Sequence, residues 1–210
     1  MSVLPMFPLQ SVLLPGMVLP LHVFEERYRA LVRTCVEGDG EFGVVLIQRG
    51  SEVGGGDVRS DVGTIAQIAR AEELEDGRWA VIAVGTHRVR VDAWLEDDPY
   101  PQAEVVEWPD DAPERGTEEH VALTEHYDEQ VALLRRVLAL TVELGGSATP
   151  TVEVADDPVP GSYHLAVLSP LGPHDRQRLL AAAGPVERLS LVGAMLHEEA
   201  LVLEAQLAGG

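Results

Sequence analysis

Residues 6–50 read MFPLQSVLLPGMVLPLHVFEERYRALVRTCVEGDGEFGVVLIQRG, and this stretch decides how the rest of the chain is understood. Two short apolar runs flank Leu14-Pro15-Gly16, where proline presets one backbone angle and glycine accepts another, so the chain must turn. The second run leads into a segment whose apolar residues Tyr28, Leu31, Val32, Cys35 and Val36 fall at i, i+3, i+4, i+7 and i+8, the stripe of a helix with one buried face. That helix spans about Glu25 to Val36, with Gly38 placed to end it in the left-handed conformation. The run Phe42–Gln48 then has the length and β-branched content of a buried strand.

The same alternation continues outward to about residue 108. Strands are expected over Val3–Leu9, Met17–Val23, Phe42–Gln48, Val62–Ala71, Trp79–Val84, His87–Leu95 and Gln102–Trp108, with Glu75-Asp76-Gly77 as a hairpin turn. Arg88-Val89-Arg90-Val91 alternates with period two, the mark of a strand with one wet face. Many short strands with one helix point to a small barrel, closed or partly closed. Past Asp110-Asp-Ala-Pro-Glu-Arg-Gly116 the periodicity becomes helical. Residues 117–144 predict a helix about 40 Å long at about 1.5 Å per residue, with Glu118 and Glu119 at its positive end. An acidic, proline-bearing loop over 145–161 precedes helices at 162–168, 173–183 and 186–206. Leu189, Val192, Leu196 and Leu203 share a face of the last, and four such helices would pack as a bundle.

Composition narrows the function classes. A chain of 210 residues, 46% of them hydrophobic, folds without a staple. Its one cysteine, Cys35, cannot form an internal disulfide and sits on the helix stripe, which predicts an inert core thiol in a reducing, cytoplasmic setting. The apolar start has no basic n-region, and its prolines interrupt any continuous helix, so neither a signal peptide nor a membrane span is predicted. Net charge is −20, spread as 9 Arg against 20 Asp and Glu in residues 1–112 and 6 against 15 in the remainder. That field repels nucleic acid and anionic membranes; it reads either as the acidic surface of a soluble bacterial protein or as attraction to basic or unfolded partners. Every cation is arginine, so this sequence offers no phosphate-loop lysine, Schiff base or serine-lysine dyad.

Other chemistry finds little support. Gly54-Gly55-Gly56 lacks the spacing of a phosphate cradle. The seven histidines include His126-Tyr-Asp-Glu129, an imidazole and a carboxylate one helical turn apart, but no further pair to complete a metal site. Ser162 and Ser169, near His164, read as a helix cap and a helix end rather than nucleophiles. No catalytic residue, cofactor or metal is therefore assigned. Leu13, Leu14, Met17 and Leu19 crowd the turn at Pro15-Gly16; they either fill the barrel, as most apolar residues of this segment do, or form a pliable patch where water would normally reach, the candidate peptide-contact surface. Arg27 and Tyr28 read as structural, the first pairing with a carboxylate and the second packing inward.

The order of MFPL (6–9), LLPGMVLPLHVFEERYRALV (13–32), FGVVLI (42–47), VGTIAQIA (62–69) and DGRWAVIAVGTHRVRV (76–91) resembles the N-terminal, substrate-binding domain of Lon proteases. DRQRLLAAAGPVERLSLVGAML (175–196) is similar to that family's helices, less sharply. The resemblance implies an α+β fold: a PUA-like β pseudo-barrel over residues 1–112, followed by a C-terminal α-helical bundle over 117–210. It also implies a stand-alone, non-enzymatic module that recognises unfolded or hydrophobic protein segments, alone or as adaptor to a protease system. A small-molecule sensor is the alternative, with an enzyme of unknown type behind it. RNA binding, known for other PUA-like barrels, lacks the basic groove and aromatic platforms it would need.

Overall fold

The computed structural model describes residues 2–52 and 56–209. The chain forms two compact units, one from Met1–Pro109 with Gly172–Leu180, the other from Asp110–Leu171 with Ala181–Gly210.

The first unit contains β1 (Ser2–Leu9), β2 (Val18–Val23), α1 (Glu26–Glu37), β3 (Glu41–Arg49), β4 (Val58–Glu73), β5 (Trp79–Trp94) and β6 (Gln102–Glu107). Their order is β2-β5-β4-β3-β1-β6, with a further pairing of β5 to β6. Two strands change partner along their length. Residues 2–5 of β1 run antiparallel to β6, whereas Met6–Leu9 run parallel to β3. β5 pairs with β2 over Trp79–Val84 and with β6 over Val89–Trp94, while β4 follows it along both stretches. The sheet thereby curls round as a pseudo-barrel, and among the described residues β2 pairs with β5 alone.

Seven expected strands become six because 79–84 and 87–95 are one strand. Gly85 lies at their junction, and its backbone is engaged across the sheet: its N–H donates to Met17 O (2.9 Å) and its carbonyl accepts from Gly16 N–H (2.8 Å). No hairpin can close there. A Cβ at Gly85 would lie 2.5 Å from the Leu14 carbonyl oxygen, so only glycine lets the 10–17 segment cross β5 at this point. The Glu75-Asp76-Gly77 turn forms as predicted, with Leu74 N–H bonded to Arg78 O and Gly77 at φ +77°.

Helix α1 buries Tyr28, Leu31, Val32 and Cys35 as its spacing requires, but Val36 is 46% exposed. Gly38 is not left-handed (φ −105°); Gly40 is, at φ +75°, and its N–H bonds Cys35 O at 2.9 Å. Tyr28 stacks on Phe7 of β1, with centroids 4.2 Å apart and planes 11° apart, and Phe42 of β3 completes the aromatic cluster.

The second unit contains α2 (Glu118–Glu143), α3 (Pro158–Leu168) and α5 (Pro185–Gly209), packed on one another. Thr117 Oγ1 caps α2 by accepting from His120 N–H. α3 begins four residues earlier than its apolar run, because Asp157 caps Val159 N–H (2.9 Å) and Pro158 and Pro160 suit a helix's first turn. Leu189, Val192, Leu196 and Leu203 of α5 are buried together as expected. Arg188, fully buried, bonds Asp110 Oδ1 (2.5 Å), Ser162 Oγ (2.7 Å) and Tyr163 OH (2.8 Å). This network joins α5 to α3 and to the unit's first residue, and no spacing rule announces it.

The fourth helix departs from the expected bundle. α4 (Pro173–Leu180) belongs to the first unit, where Gln177 Nε2 donates to Ser60 Oγ (2.8 Å) and Val62 O (3.0 Å) of β4. Arg88 Nη1 of β5 donates to Leu180 O at the helix's negative end (2.8 Å). Six of its eight residues, Pro-His-Asp-Arg-Gln-Arg, carry no apolar side chain beyond proline, so its place is fixed by these polar bonds together with the buried Leu179 and Leu180 at its end.

Leu31→Ala is expected to lower unfolding stability by about 2–5 kcal/mol, since Leu31 is fully enclosed; urea denaturation measures it. Gly85→Ala is expected to cost about 1–3 kcal/mol, because the atom it meets is rigid backbone, and the same titration tests it.

Candidate functional site

The turn expected to display an apolar patch faces inward. Leu13, Leu14 and Leu19 are 2%, 0% and 8% exposed, and Met17 packs half-buried against the same core. The reason lies in the backbone. Leu13 O accepts from Thr64 Oγ1 (2.6 Å), and Leu14 O accepts from Met17 N–H (3.0 Å), with Gly16 at φ +82°. With its carbonyls satisfied, the turn leaves Pro15 and Gly16 outside and sends its leucines into the core. The four residues do not form a surface.

Exposed apolar groups gather instead along β2. Val18 is 56% exposed and Phe24 60%, and Ile82, the β5 partner of Pro20, is exposed as well. A hollow of about 230 Å³ lies where β2 approaches β1 and α1. The Phe7–Tyr28 stack, Leu9, Leu21 and Val23 line it, with Phe24, His22, Glu25 and Glu52 around them. A second hollow of about 270 Å³ shares Pro20, Leu21 and His22 and continues over Ala80, Val81 and Ile82 to Arg70 and Glu72. The strand thus has an apolar recess on either side.

Phe24 could have been found in the sequence. A hydrophobic residue just before a helix's N-cap normally packs on the residue at N4. Here the N-cap is Glu25, so N4 is Arg29, which offers Phe24 no apolar partner. The ring is left beside the hollow.

Arg27 organises the rim. Its Nε donates to Glu25 Oε2 (3.2 Å), its Nη2 donates to Glu52 O (2.9 Å), and its guanidinium lies 4.4 Å from the Tyr28 ring centroid. Glu52 Oε1 in turn accepts from Gln10 N–H (2.6 Å). Burial, reinforced by Glu25 and Asp57 and opposed by Arg27, pushes the Tyr28 hydroxyl up to about 12, so the ring stays neutral at any physiological pH. Arg27 and Tyr28 hold the structural roles their sequence positions suggested.

Candidates for chemistry have structural duties. Ser162 Oγ donates to Val159 O (2.7 Å) and Ser169 Oγ to Leu165 O (2.6 Å), while His164 Nδ1 accepts from Ala155 N–H (3.2 Å). His126 Nδ1 lies 3.6 Å from Glu129 Oε2, and among the described residues no three His, Cys, Asp or Glu side chains are grouped to hold a metal. Gly54 and Gly55, the centre of the glycine run, lie outside the described residues. A larger hollow in the second unit, about 520 Å³, is bordered by Asp111, Glu114, Glu119 and Glu187 at the starts of α2 and α5. Those carboxylates complement positive helix ends, and the short apolar groups between them give no deep anchor. None of the described helices is long and apolar enough to cross a membrane.

The first unit is thus a curled sheet with one strand paired on a single side and an aromatic recess at that strand. Residues 3–198 match the family model described as the ATP-dependent protease La (LON) substrate-binding domain, and the chain belongs to that family. The Lon protease of Cytophaga hutchinsonii is 28% identical over 206 residues, covering 97% of this chain and 25% of its own length. The chain therefore spans about a quarter of the curated relatives it first matches. The crystal structure of a Lon N-terminal domain protein from Xanthomonas campestris is 31% identical with a TM-score of 0.66, covering 92% of this chain and 98% of that one. The N-terminal domain of Mycobacterium avium complex Lon protease, 21% identical with a TM-score of 0.62 over 93% and 98% of the two chains, shares the fold.

Cys35 offers a check on the core beneath this site. Its side chain is buried, its thiol faces Glu41 O (3.2 Å), and burial pushes it up to about 12. Ellman's reagent at pH 8 is expected to leave Cys35 untouched in the native protein and to titrate it fully in urea. Because the folded thiol holds its proton between pH 9 and about 12 while the unfolded one loses it, stability is expected to fall as pH rises through that window, and Cys35→Ala to flatten the fall.

Proposed function

We propose that this chain is a non-catalytic recognition module that takes up apolar segments of other proteins, serving a Lon-type protease system, with the recess along β2 as its anchor. The observation that carries this reading is the side chain of Phe24, 60% exposed beside an aromatic stack that lines an open hollow. A ring in that position costs solubility unless something covers it. A hollow of about 230 Å³ is smaller than the ~300–1,000 Å³ typical of small-molecule sites, which favours one protruding side chain over a whole metabolite. The absence of lysine removes the residues on which the protease and ATPase chemistry of a Lon enzyme would depend. The family's description and the length matched in its relatives support recognition as the role, and the single buried thiol fits a cytoplasmic setting.

The test compares binding of a fluorescently labelled, reduced and carboxymethylated protein with binding of the same protein folded, read by anisotropy. The unfolded form is expected to bind at least about tenfold more tightly, and Phe24→Ser to remove most of that preference. Equal binding of both forms would overturn the proposal.

A further inference from the structure

We infer that the bound segment adds as a strand to the open edge of β2, and that it carries a cationic side chain next to its apolar anchor. The inference rests on the recognition reading above and specifies how that site would work. Among the described residues β2 pairs with β5 alone, in unbroken register from Val18 opposite Val84 to Val23 opposite Trp79. In an antiparallel pair, alternate residues direct both backbone groups at the partner and the others direct both away. Met17 O accepts from Gly85 N–H (2.9 Å), so positions 17, 19, 21 and 23 face β5, and Val18, Pro20 and His22 face outward. Pro20 agrees with this parity, since a residue without an N–H is tolerated only on the outward side.

The outward edge therefore presents the N–H groups of Val18 and His22 and the carbonyls of Val18, Pro20 and His22, all three residues being exposed. An extended peptide satisfies these groups by main-chain bonds and places alternate side chains to the two sides of β2, where the two hollows lie. The gap at Pro20 and the strand's six-residue length limit the ladder to a short partner and discourage open-ended pairing.

Charge names the partner's second feature. Glu25 and Glu52 border the hollow against one guanidinium, Arg27, and each carboxylate keeps an oxygen beyond those bonded to Arg27 and Gln10. On a chain of net charge −20, an arginine or lysine flanking the anchor gains both a local acceptor and a favourable field.

The experiment uses the intact chain and a fluorescein-labelled peptide with a Leu-Phe-Leu centre and an arginine at either end, followed by anisotropy. N-methylation at alternate peptide positions is expected to weaken binding about 5- to 10-fold, and at the intervening positions hardly at all. Val18→Pro removes an outward N–H while keeping the β5 pairing, and is expected to weaken binding by a similar factor with an unchanged melting midpoint. Glutamate in place of both arginines is expected to weaken binding at least about tenfold, and Glu25→Gln with Glu52→Gln to narrow that difference. If Val18→Pro does not fold, the N-methyl series decides from the peptide side. Binding indifferent to N-methylation and to flanking charge would overturn this inference while leaving apolar recognition standing; no binding of any Leu-Phe-Leu peptide would overturn both. A dimer in sedimentation that Val18→Pro dissolves would also overturn it, by assigning the edge to a second copy.

Discussion

The first unit depends on one crossing. Where the 10–17 segment passes over β5, the Leu14 carbonyl approaches the Gly85 backbone too closely for any side chain, and Gly85 bonds both Gly16 and Met17. This contact fixes β2 on one stretch of β5 and leaves the other stretch for β6. β1 divides in the same manner between β6 and β3. Two strands that each change partner along their length bend a single sheet round a core of Phe7, Tyr28, Leu31, Phe42 and their neighbours. The recess at β2 is a by-product of that bend: the strand is anchored on one side only, and α1 with its Phe7–Tyr28 stack lies beneath it.

Local rules recovered what local forces decide. The α1 stripe, the Asp76-Gly77 turn and the buried face of α5 follow from spacing and glycine chemistry within a few residues, and each was legible in the sequence. The joining of 79–84 to 87–95 was not, because the glycine between them reads as a turn unless its bonds to residues 16 and 17 are known. α4 shows the same limit from the other direction: its helical pattern is local, but its place in the fold is set by bonds from Gln177 to residues more than a hundred positions away.

The inward direction of the leucines at 13–19 was hidden for a related reason. Apolar content at 13–19 was apparent, yet whether a leucine at a turn points out or in depended on Thr64 and Gly85 satisfying the turn's carbonyls. Phe24 was legible in principle, since Arg29 at N4 denies it a staple partner, but that signal is a missing contact rather than a motif. Arg188 and its bonds to Asp110, Ser162 and Tyr163 were invisible, as a buried guanidinium looks in sequence like any surface arginine.

The attachment of β2 has a mechanical corollary. A chain drawn along the axis of β2 loads the β2–β5 ladder in shear, so its bonds resist together, whereas a pull perpendicular to the strand peels them open in sequence. Because β5 continues past Gly85 into its pairing with β6, the load passes directly into the wrapped half of the sheet. The strand with the open edge is thus tethered to one of the two sixteen-residue strands of the unit, so that a load on it is shared with β4 and β6.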